Sequence, residues 1–68
     1  MVDRFSTFDV VVLRRGVPEE GIAPGTRAAV IDVHTEPSLA YEVEVVDEQS
    51  GKTLWWGPVG PEDVEPPD

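Results

Sequence analysis

The run Tyr41-Glu42-Val43-Glu44-Val45 alternates apolar and acidic residues without a break. Successive side chains on a strand point to opposite faces, so Tyr41, Val43 and Val45 share one face and Glu42 and Glu44 the other. A helix would scatter the same residues around its circumference and bury a carboxylate. The run therefore sets an element and a sidedness together: an apolar face for a core, a carboxylate face for water or a partner.

The rest of the chain reads as short strands set between turn signals. Asp9 to Arg14 is a β-branched run with a charge at each end, a first strand. Between Arg15 and Gly25 stand Gly16, Pro18, Gly21, Pro24 and Gly25, too many breakers for a regular element. Pro24-Gly25 signals a type II turn, because Pro presets the first central residue and Gly supplies positive φ at the second. Arg27 to Val33 is a second strand with blurred alternation: Ala29, Ile31 and Val33 have one parity, Ala28, Val30 and Asp32 the other. After Thr35-Glu36-Pro37-Ser38, a third strand runs from Leu39 to Asp47. Ser50-Gly51 suits a tight hairpin into a fourth strand, Thr53 to Trp56. Pro61-Glu62-Asp63 has Pro and acids where a helical turn starts, and Val64-Glu65 adds a last short strand.

A chain of 68 residues is a single domain near the lower size limit for independent folding, and it has no cysteine for a disulfide or a thiolate metal site. One histidine, His34, cannot supply the convergent ligands of an ordinary zinc site. Stability must come from a small core, for which Val10, Val12, Leu13, Val30, Ile31, Val33, Tyr41, Val43, Val45, Leu54, one of Trp55 and Trp56, Val59 and Val64 are the candidates. Such a core leaves only ~3–5 kcal/mol of net stability. No stretch approaches the ~18 apolar residues of a membrane span, and no signal-peptide run opens the chain, which reads as cytoplasmic.

Four or five short strands, a long loop after the first and one helical turn before the last describe an all-β, SH3-like five-stranded barrel over residues 9–65. Residues 1–8 lead in and 66–68 form a tail. Closing the sheet removes edges that so small a protein could not otherwise hide. An OB-like barrel is the alternative, although it needs a helix between strands three and four, where this chain has a tight turn.

The run Asp9-Val10-Val11-Val12-Leu13, the loop with Pro18 and Gly21, Pro24-Gly25, Ala29-Val30-Ile31-Asp32-Val33, Tyr41-Glu42-Val43-Glu44-Val45 and the tail with Leu54 and Pro61-Glu62-Asp63-Val64 come in a recognisable order. Together they resemble a bacterial family of small proteins known only as domain of unknown function four-nine-two-six, over roughly Phe8 to Pro66. Ala28 stands where that family commonly has glycine, and Trp55-Trp56 is bulkier than its usual aliphatic pair. The resemblance implies an SH3-like barrel without known catalysis. It also implies an immunity or antitoxin-like role, since such genes often neighbour toxin genes.

Five Lys and Arg against fourteen Asp and Glu give a formal charge of −9. Nucleic-acid binding draws its energy from basic patches, so this balance disfavours it and favours a basic protein partner. Glu42 and Glu44, with Asp32 and Glu36 on neighbouring positions, form the candidate carboxylate patch. The plain alternative is a solvated strand face, partly bridged by Arg27. Trp55 and Trp56 face opposite ways on one strand, so only one fills the core; Trp56 is taken as the outward one and as an interface anchor. Its plain alternative is cover by Pro58 or the Arg14 stem. Proline-peptide recognition is not expected, because the long loop carries no aromatic and Tyr41 faces the core. His34 reads as a solvated or hydrogen-bonded side chain. No nucleophile, metal cage or phosphate loop accompanies the carboxylates, so no enzyme and no cofactor is expected. The expectation is a protein-binding module that masks a basic site on a toxin or nuclease. The alternative is an accessory subunit or homodimer that pairs through Val46 and Trp56.

Overall fold

The alternating run is an interior β-strand of the sheet, with Tyr41, Val43 and Val45 buried and Glu42 and Glu44 on the opposite face. The computed structural model describes residues 5–67. Its strands are β1 (Val10–Leu13), β2 (Thr26–His34), β3 (Ala40–Val46), β4 (Thr53–Val59) and β5 (Val64–Glu65). Single 3-10 turns, Pro18–Glu20 and Pro61–Asp63, follow β1 and precede β5. All pairings are antiparallel, in the order β4-β3-β2-β1-β5.

β1 to β4 form a meander, and β5 returns to the far side of β1. That return and the tight β3–β4 connection are the features of an SH3-like barrel; the OB alternative is set aside because no helix separates β3 from β4. Both turn expectations hold. Gly25 takes φ +87° and Thr26 N donates to Ala23 O at 3.3 Å, closing the type II turn. Gly51 is left-handed at φ +77°, and its N–H donates to Asp47 O at 2.8 Å.

Several core assignments are corrected. On β1 the inward residues are Val11 and Leu13, while Val10 is exposed and Val12 only half-buried. Val10 to Leu13 is apolar throughout, so nothing in it sets the phase. Ile31 also faces out. β2 carries one extra residue there: Val30 pairs with Val43 and Asp32 with Glu42, leaving Ile31 as a β-bulge. The bulge explains the blurred alternation, because Ala28 and Val30 point inward before it and Val33 after it. Leu54 is exposed for the same reason, as the unpaired residue between Trp55↔Val45 and Thr53↔Val46. β4 runs on past Trp56 through Gly57 and Pro58, which an edge strand tolerates because proline's missing donor can face away from the sheet.

The breaker-rich loop does more than connect. Val17 and Ile22 exchange two backbone hydrogen bonds, at 2.8 and 3.0 Å, around the Pro18–Glu20 turn, and both side chains are buried. A loop expected to hold no regular element thus supplies two core residues. Phe5 packs onto the same core: its ring meets Tyr41 edge-on at 5.8 Å, and its N–H donates to the Tyr41 hydroxyl at 3.1 Å. Trp55 turns inward and is half-buried against the core.

Candidate protein-binding face

The outer face of the sheet is built from side chains that the inward set leaves on the other side. One row crosses four strands in register: Val10 opposite Ala29, Ala29 opposite Glu44, Glu44 opposite Trp56. A second row places Asp32 opposite Glu42 and Glu42 opposite Pro58. Of the residues singled out from the sequence, Asp32, Glu42, Glu44 and Trp56 therefore lie on one continuous face. Glu36 sits apart, exposed in the connection from β2 to β3, and no hydrogen bond or ion pair joins it to the others among the described residues.

Trp56 is the outward tryptophan, 61% exposed. Trp56 and Ile31, with Glu44 and Thr53, line one depression of about 350 Å³. Neither of the expected covers shields it. Pro58 leaves Trp56 exposed, and Arg14 is engaged elsewhere: its Nε lies 3.6 Å from the Glu65 carboxylate, and its guanidinium donates to Glu62 O at 3.2 Å. Tryptophan is among the residues enriched at interface hot spots.

The charges around it are arranged unevenly. Glu44 accepts a hydrogen bond from the Thr53 hydroxyl, which fixes that carboxylate beside Trp56. Glu42 Oε1 lies 3.3 Å from His34 Nε2, and Asp32 Oδ2 lies 3.8 Å from the same nitrogen. His34 is thus the hydrogen-bonded histidine expected from the sequence, seated between two carboxylates. Arg14 and Arg15 pair with Glu65 and Asp63 at the β5 end, Arg15 at 3.6 Å. Arg27 makes no ion pair among the described residues, so it does not bridge the patch; it borders a second depression with Val10, Ala29, Glu44, Val46 and Glu48. The carboxylates of the outer face are left without Lys or Arg partners among the described residues.

A residue missed from the sequence stands just before β1, its backbone bonded to β2. Phe8 is 83% exposed and has φ +77°, the one non-glycine residue with positive φ among those described. Nothing in its composition marks Ser6-Thr7-Phe8-Asp9 as a turn that needs a left-handed residue, because glycine or asparagine would be the usual signal. The available signal was Asp9, whose Oδ2 accepts from Ser6 N at 2.8 Å. No group of three or more His, Cys, Asp or Glu able to hold a metal ion occurs among the described residues, and no helix there is long and apolar enough to cross a membrane.

The profile of the domain of unknown function DUF4926 matches residues 7–66. The chain belongs to this family. The matched span contains all five strands and every outer-face residue named above, so the face lies within the DUF4926 domain. No curated protein and no solved structure matches the chain.

Proposed function

We propose that this DUF4926 protein is a non-catalytic binding module whose acidic outer sheet face covers a basic site on another protein. The observation that carries the reading is Trp56, exposed beside a fixed Glu44 carboxylate on a face whose acids lack Lys and Arg partners among the described residues. The −9 charge steers a basic partner toward the domain, and the tryptophan supplies desolvated contact area once it docks. In its sharper form, the module is an immunity or antitoxin-type protein that occludes a basic surface of a toxin or nuclease. That form rests on the family's resemblance rather than on the geometry.

The test is capture of the partner from the native cell by the wild type and by Glu42→Lys with Glu44→Lys. A basic protein retained by the wild type, released as salt rises and lost with the double variant supports masking. The second reading, an accessory subunit or homodimer, is favoured by the exposed Val46 and Leu54 beside the β4 edge. A stable dimer indifferent to the charge reversals would replace masking with assembly.

A further inference from the structure

Phe8 is held in a conformation that its own chemistry disfavours. Asp9 N donates to Ser6 O at 2.9 Å, closing a four-residue turn with Phe8 at its third position. Phe8 N donates to Val30 O at 2.6 Å, and Val30 N donates to Asp9 O at 2.8 Å. Two residues of one strand thus oppose one residue of its neighbour, with the first left-handed. This is the bulge geometry that ordinarily calls for glycine. A left-handed residue bearing a side chain is disfavoured, because its Cβ crowds the following carbonyl oxygen. The strain brings the fold no packing, because the ring is 83% exposed while Phe5, three residues earlier, does the covering of Tyr41. The turn is also fastened twice, by the backbone bonds and by Asp9 Oδ2 on Ser6 N. Strain maintained by surrounding bonds, with the side chain delivered to solvent, is the pattern of a ligand clamp.

Its position fits the proposed face. The Phe8 amide is bonded to the residue just before Ile31, and Ile31 shares its depression with Trp56. Three of the large exposed apolar residues, Phe8, Ile31 and Leu54, sit at bulges, where extra residues re-aim side chains. From β1 across β2 and β3 to β4 there are three strand spacings, about 14 Å, and Phe8 stands two residues along the chain from the Trp56 row, so roughly five extended residues cover the diagonal.

We infer that the Ser6–Asp9 turn presents Phe8 as a second anchor, opposite Trp56, for an extended basic segment of the partner. The segment carries apolar residues four apart, one against Phe8 and Ile31 and one against Trp56. A Lys or Arg midway between them faces the same side and meets Glu44. A helix is the wrong shape, because residues four apart on it are only about 6 Å apart. A second copy of the chain is the wrong charge, since each carries −9. This inference rests on the protein-binding reading above and names the segment that the face would take.

The test uses a synthetic peptide, Gly-Leu-Lys-Lys-Lys-Leu-Gly, and its Glu-for-Lys counterpart, with binding read by the change in tryptophan fluorescence at low salt. The wild type is expected to bind the lysine peptide and not the glutamate peptide. Phe8→Gly removes ring and strain together: its melting temperature is expected to rise by a few degrees while affinity falls roughly tenfold or more. Phe8→Ala removes the ring and keeps the strained backbone, so affinity should fall equally without the gain in melting temperature. If the wild type binds and both variants bind as tightly, Phe8 is no anchor, although the face remains a binding surface. A lower melting temperature for Phe8→Gly would overturn the strain. If the wild type does not distinguish the two peptides, the protein-binding reading fails and this inference with it.

Discussion

Single residues of this domain divide by which side of the sheet they serve, and their substitution should separate stability from binding. Tyr41 serves the core: it is buried, and its hydroxyl accepts from Phe5 N. Tyr41→Phe should lower stability by about 0.5–1.5 kcal/mol in a denaturant melt, through the orphaned Phe5 donor. Gly57 is required by a neighbour rather than by its own backbone, since a Cβ there would lie 2.7 Å from the Trp55 ring. Gly57→Ala should therefore cost about 1–3 kcal/mol, with a changed Trp55 fluorescence. Trp56→Ala should shift stability by no more than about 0.5 kcal/mol, because most of the side chain is already in solvent. Much of this was legible in advance. The alternation at Tyr41 to Val45 set both faces of β3, and adjacency of two tryptophans required one to face out. Phe8 was not legible, because a left-handed phenylalanine is a cost that no residue pattern announces.

Elements carry the irregularities that the pattern conceals. Every strand was visible in the sequence, within a residue or so of its observed limits except β4, which continues through Gly57-Pro58. Phase was less visible. β1 offers only apolar residues, so pairing with β2 and β5 on either side decides that Val11 and Leu13 turn inward. One extra residue in β2 reads as blurred alternation, and only the register of β3 shows that Ile31 is the extra one. Deleting Ile31 should leave Val30 inward, Asp32 outward and Val33 inward, a regular strand. The deletion variant is accordingly expected to fold, with dispersed amide resonances, and to bind the lysine peptide more weakly. A collapsed spectrum would show that the bulge supports the sheet rather than the face.

At the scale of the molecule, charge sets both stability and partner choice. The five Lys and Arg residues leave most of the fourteen acids unmatched, and Arg14 and Arg15 are engaged at the β5 end. Self-repulsion of this kind is screened by salt, so the melting temperature should rise from low to physiological ionic strength, while association with a basic peptide weakens. Opposite salt responses of folding and binding in one protein would tie both to the same acidic surface. Amide and indole shift mapping of the labelled domain during titration with the lysine peptide reads the binding face residue by residue. Perturbations are expected on Phe8, Ile31, Asp32, Glu42, Glu44 and the Trp56 indole, fading as salt is added. Perturbations gathered instead on Val17 to Gly25 or on the Arg14–Glu65 end, or none at all, would contradict the acidic outer face as the binding site.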